Sequence, residues 1–448
     1  MEGALAAARA YNRRLEADPA AAREQAAWLT EELSRAGVTF DRAPMASFLR
    51  PQFVERTAWE ALRAEGRRLL ELAARVARRA FLGDVGRLCA FLGTPAAEAR
   101  WLAVDPGEPD VVVSRLDAFL TPTGPRFIEI NSDAPAGFGY SDRMAKVFSE
   151  LPVFRAFALE TPLAYQPSEE GLVQAVLGAL RDPGAGRPGV AIADWADVKT
   201  RADQEILREA FAARGVDCFL ADPREMTVLG GRLRAGSRLV DVVYRRVVLS
   251  ELLKREDEVR PFLSAYRLGL VPFVNSFRCR LSEDKAFLAL LTDEAFASLL
   301  SEDERAFVAR VTPWTRKVEE RRTLKDGQEI DLLPHVLANR RSLVLKPAHG
   351  YGGQSVLVGD DTEPALWEGA VRAGLAEPWV VQERVTIPEE PFPVLTGGEL
   401  KFEFLKVNTN PFYVTGAEVG AVTRVSRSSV INVSAGGGSV PIFVVGST

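Results

Sequence analysis

Residues 115 to 138 read RLDAFLTPTGPRFIEINSDAPAGF. Two apolar, β-rich runs flank a TPTGP punctuation, a pattern that predicts an antiparallel hairpin. On the second run Glu129 and Asn131 stand two apart, so they share one face while Ile128 and Ile130 take the other. Asp117, at the end of the first run, can lie beside them. Asp117, Glu129 and Asn131 are hard oxygen donors of the kind magnesium takes while keeping part of its coordination for substrate phosphates. The competing reading is polar residues solvated at strand ends; the alternation with the isoleucines favours one coherent polar face.

The rest of the chain bounds what that face can serve. With 448 residues, 47% of them apolar, two or three packed cores are expected and a cleft between them is affordable. The net charge is -5 and lysine and arginine are scattered, so neither a nucleic-acid nor a membrane footprint is expected. Cys89, Cys218 and Cys279 are far apart and form no Cys-x-x-Cys, which argues against a disulfide framework or a zinc site and for a reducing cytoplasm. Two histidines, His335 and His349, make a His-ligated metal improbable. The N-terminus interleaves charge with alanine, and no later stretch reaches about 18 uncharged apolar residues, so no export signal or membrane span is expected.

Four stretches follow from the pattern. Residues 1–108 read as a helical layer, with Trp59, Leu62, Leu69, Leu72, Ala73 and Val76 recurring on one face. Residues 109–180 hold the hairpin. Past the Pro/Gly-rich RDPGAGRPG, residues 181–274 alternate β-rich runs (VAIAD, VDCFLAD, LVDVVYRRVVL) with the helical QEILREAFAARG, an open α/β unit of doubly wound type. Arg245 and Arg246 end one of its strands, either to form a structural salt bridge or, as the family resemblance carried by the motifs of the last stretch implies, for one of them to hold a substrate carboxylate. Residues 275–448 mix short helices with several strands. The class is therefore α+β with an α/β unit.

In the last stretch, LVLKPAHGYGGQSVLVG places Lys346 at the end of a β-branched run, before a loop with Gly350, Gly352 and Gly353. Glycines let backbone N–H groups approach a phosphate, and the lysine adds a point charge. No Gly-Lys-Ser/Thr follows, so this is no Walker loop, and a bare turn is the competing reading. His349, inside this loop, is read as a solvent-exposed residue, with a phosphate contact as the competing reading.

An Asp, eleven residues, then Glu-x-Asn, with Arg115 two before the Asp, resembles the magnesium and phosphate motif of ATP-grasp ligases. Lys346 and its loop look like that family's second ATP lysine and phosphate loop, and Lys285, in LSEDKAFLALL, resembles the first. PWVVQERV looks like the strand into the adenine hinge, which implies nucleotide contacts at Gln382, Glu383 and Val385. In the common order the Asp and Glu-x-Asn come after the lysines; here they come about two hundred residues before them. That order is similar to circularly permuted ATP-grasp proteins, among them glutathionylspermidine synthase, whose Glu-x-Asn-x-Asp-x-Pro resembles EINSDAP at Glu129 to Pro135. The tail TRVSRSSVINVSAGGGSVPIFVV is similar to theirs as well, which implies that Arg424 and Asn432, with Arg115, face the γ-phosphate and the activated acyl group. The resemblance implies ATP, one or two magnesium ions, and a carboxylate-amine ligase working through an acyl phosphate on a small-molecule or peptide carboxylate and an amine. A homodimer is compatible with it. A kinase-like phosphotransferase and a silent nucleotide-binding protein are the alternatives.

Overall fold

The computed structural model describes residues 2–45, 47–105, 107–182, 186–350, 355–417, 419–433 and 436–446. The hairpin forms where the pattern puts it, as Val113–Thr121 and Gly124–Asn131. It is the edge of a six-stranded antiparallel sheet whose remaining strands lie at the other end of the chain. Val113–Thr121 pairs with Glu399–Val414, which pairs with Ala421–Ser426, and that strand with Gly438–Val440. Glu389–Thr396 also pairs with Glu399–Val414.

A smaller antiparallel sheet faces it, in the order Thr315–Lys317, Trp379–Glu383, Leu343–Pro347, Leu357–Val358. The α/β unit has the expected form. Its sheet runs Phe273–Val274, Val242–Arg245, Gly189–Ala193, Asp217–Ala221, every pair parallel, with Arg201–Ala212 as the crossover helix between the last two.

The layer before residue 109 is helical in the main. In Arg56–Ala80 the buried residues are Trp59, Leu62, Gly66, Leu69, Leu72, Ala73, Val76 and Ala77, the apolar face read from the sequence. This face lies on the back of the large sheet. A Cβ at Gly66 would stand 1.7 Å from Tyr413 Oη, so only glycine lets the helix approach this closely. The Tyr413 hydroxyl donates to Leu62 O at 2.7 Å. One departure is the strand Gln52–Glu55, which pairs in parallel with Ile442–Val445 and so joins the two ends of the chain in one sheet.

Candidate active site

The cleft between the large and small sheets gathers residues from both halves of the chain: Arg115, Asp117, Glu129, Asn131, Asn408, Arg424 and Asn432 from the large-sheet side, Lys346, Gln382, Glu383 and Val385 from the small. Across the hairpin Arg115 pairs with Asn131 and Asp117 with Glu129, so all four side chains share one face. The ladder then slips. Ala118 pairs with Phe127, which leaves Ile128 without an opposite residue.

Asp117 is the hub. It accepts from Arg115 Nε at 3.1 Å, Asn131 Nδ2 at 3.0 Å and Arg424 Nη1 at 3.1 Å. Burial pushes its carboxyl up, but the Arg115 and Arg424 guanidiniums outweigh burial and hold it below the ordinary aspartate value. Because the carboxylate is an acceptor, Asn131 must turn its NH2 toward it, and its carbonyl oxygen is left without a partner among the described residues. Glu129 meets Lys285 Nζ at 3.3 Å, and the same ammonium donates to Gly350 O at 2.7 Å. Lys346, 5% exposed, donates to Gln382 Oε1 at 2.8 Å and Ile128 O at 3.3 Å. Burial lowers its pKa, with the Lys285 charge acting in the same direction and Glu129 against it. Four cations thus surround two carboxylates, an excess of positive charge in a desolvated cleft.

Two adjacent carboxylates and a free amide oxygen suit a hard cation such as magnesium. Among the described residues no group of three or more His, Cys, Asp or Glu could hold a metal ion, so an ion here would take most of its ligands from elsewhere, as magnesium does from substrate phosphates. At the far end of the cleft Glu383 pairs with Lys325 at 2.9 Å, and Arg126 Nη2 lies 3.9 Å from it. The N–H groups of Glu383 and Arg384 are taken by Trp314 O and Ser342 O. Gly350 has φ +123° beside Lys285; Gly352 and Gly353 lie outside the described residues.

Sequence reading missed several supports. Asp133, in the EINSDAP stretch, forms a buried ion pair with Arg245 at 2.6 Å. The same guanidinium also donates to Val247 O, Asn275 O and Ser276 O. Arg246 donates to Pro135 O and lies 3.9 Å from Asp203. Of the two readings for this pair, the structural salt bridge is the one observed: both arginines tie the α/β unit to the loop after the hairpin. Asn275 does likewise, accepting from Val112 and Val113 N–H and donating to Val113 O and Ser132 O. His349 is only partly exposed, and it is tethered, contrary to expectation. Its Nδ1 lies 2.7 Å from Asp284 Oδ2 and its Nε2 3.0 Å from Gly93 O, so the residue before the glycine-rich loop is moored to the segment carrying Lys285. The spacing of Asp133 after Asn131 was the signal available; Asn275 and Asp284 had none.

Hairpin residues 115–131 meeting lysines at 285 and 346 reproduce the permuted order in three dimensions. Residues 201–382 match the family model described as a circularly permuted ATP-grasp. That stretch is similar to a circularly permuted ATP-grasp, and the fold is of that class. The matched span contains both lysines, and the fold brings the hairpin and the C-terminal strands to it. Over 295 residues this chain is 28% identical to a Frankia alni protein provisionally named glutamate–cysteine ligase 2-3, an alignment covering 61% of this chain and 31% of that one. It is 25% identical over 349 residues to an uncharacterized Mycobacterium tuberculosis protein, covering 71% and 57%. It therefore spans about a third of the Frankia relative and somewhat over half of the mycobacterial one. Its fold is similar to that of the glutathione synthetase-like effector of Globodera pallida, with a TM-score of 0.63 at 11% identity over 95% of this chain and 98% of that one. Among the described residues no helix is long and apolar enough to cross a membrane. Neither fold nor relatives speak for a homodimer.

Proposed function

We propose that this protein is an ATP- and magnesium-dependent carboxylate-amine ligase that forms an amide through an acyl phosphate. What carries the reading is the register pair Asp117–Glu129, with Lys346 facing it from the opposite sheet and Lys285 reaching Glu129 from the short helix Lys285–Leu288. The γ-phosphoryl group passes to a carboxylate oxygen: the new O–P bond forms as the bond to the β-phosphate oxygen breaks and ADP leaves. A neutral amine then attacks the acyl carbon, the C–N bond forms and phosphate departs. Such chemistry asks for position, charge and exclusion of water more than for covalent participation by the protein.

Lys285, Lys346 and Arg115 would neutralise phosphate charge, and Arg424 and Asn432 would face the transferred group and the activated acyl. Glu383 and the backbone at Val385 would take the nucleoside end. Asp117, Glu129 and the free oxygen of Asn131 would hold one or two magnesium ions, which supply charge neutralisation between phosphate oxygens. The Frankia relative's name points the substrate class to amino-acid-like carboxylates and amines.

The test is ADP and phosphate release from Mg-ATP with pools of amino acids, small peptides and polyamines, read with product mass spectrometry and a Lys346→Ala control. A product lighter by one water than the sum of two pool members is expected. A phosphorylated product without amide would transfer the reading to a phosphotransferase.

A further inference from the structure

The ammonium of Lys346 has three N–H donors, and two are committed within the protein. One goes to Gln382 Oε1 at 2.8 Å, the other to Ile128 O at 3.3 Å. The third has no partner among the described residues, and the residue lines the cleft.

Both acceptors are held from behind. The Thr315 hydroxyl donates to Pro313 O at 2.9 Å, so its lone pair is what faces Gln382, and Gln382 Nε2 donates to it at 3.0 Å. That contact fixes which way the Gln382 amide turns, since its NH2 must face Thr315 and its oxygen must then face Lys346. Thr315 is 0% and Gln382 3% exposed, so water does not compete for these groups. On the opposite sheet, Ile128 is the residue left over by the slip between Asp117–Glu129 and Ala118–Phe127, and its carbonyl is turned toward the small sheet.

We propose that Thr315, Gln382 and the bulge carbonyl of Ile128 form a two-legged seat that aims the remaining N–H of Lys346 at a nucleotide phosphate, with Gln382 a positioning residue and not a nucleotide contact. The seat joins the sheet bearing the magnesium-type ligands to the sheet bearing the lysine. The proposal rests on the nucleotide reading above.

The test is a double-mutant cycle on Gln382→Leu and Lys346→Ala, read by the affinities of Mg-ATP and of adenosine. Gln382→Leu should weaken Mg-ATP about tenfold, the usual scale for a hydrogen bond to a charged group, and leave adenosine unchanged. It should add nothing once Lys346 is alanine. Gln382→Glu, which keeps the acceptor for Lys346 but lacks the N–H that Thr315 accepts, should restore Mg-ATP affinity only in part, and Thr315→Val should reproduce part of the loss. Additive effects, or equal losses for Mg-ATP and adenosine, would overturn the seat. The same cycle read by thermal unfolding without ligand separates the two ideas. A wild-type protein that binds no Mg-ATP removes the nucleotide reading, while coupling in unfolding still supports the seat and additivity there overturns it. Should Gln382→Leu not fold, the cycle runs on Thr315→Val with the same expectations.

Discussion

Asp117 stands directly opposite Glu129 across the hairpin, and three donors from Arg115, Asn131 and Arg424 converge on its carboxylate. The two acids lie beside four cations, an arrangement that a metal-bound polyphosphate would complete.

Glu129→Gln combined with Asn131→Ala should therefore cut ADP release by about 100-fold or more while leaving the fold intact, because both side chains sit on the cleft face. Initial rates across a magnesium series check this. Unchanged turnover at every magnesium concentration would refute the assignment.

The Asp133–Arg245 pair is buried at both ends, with side chains 4% and 0% exposed. Asp133→Ala leaves a buried guanidinium without its counter-charge and should destabilise the protein by about 3–5 kcal/mol. Urea unfolding measures it. A cost below about 1 kcal/mol would mean that the carbonyl partners of Arg245 suffice.

His349 carries a pH signature. Burial lowers its pKa, but Asp284 outweighs burial and raises it above the ordinary histidine value. A folded pKa above the unfolded one means that the stabilisation is fully present below about pH 6.5 and is lost as pH rises through the folded value. The gap in Tm between wild type and His349→Asn should thus be widest below about pH 6.5 and close on the alkaline side. A gap that grows with pH would reverse the sign and sink the ion pair with Asp284.

Gly66→Ala separates stability from function. The added methyl has no room against Tyr413, and overpacking of this kind costs about 1–3 kcal/mol. Mg-ATP affinity per folded molecule should not change, since Gly66 lies behind the sheet and not in the cleft. A selective loss of affinity would count against that placement.

The hairpin and its polar face were legible because they are local: alternation over eight residues and a short turn decide both. The helix Arg56–Ala80 was legible for the same reason. The permuted architecture became readable only through the order of motifs, which no periodicity contains. What escaped were contacts made at long separation. Lys346 meets Ile128 across 218 residues, and Gln52–Glu55 is too short a run to announce a partner at Ile442–Val445. His349 was misread because a histidine next to glycines looks like a surface loop until Asp284 is brought beside it.

The pairing of Val113–Thr121 with Glu399–Val414 sets a timetable for biosynthesis. Asn408, whose side chain donates to Ala118 O, follows it by 290 residues. At roughly 5–20 residues per second a ribosome needs on the order of 15–60 s to deliver that strand. Until then the hairpin carries an open β edge, a template for wrong pairing. The hairpin's edge on the nascent chain thus stays unpaired, and the cleft incomplete, until the C-terminal strands have left the tunnel.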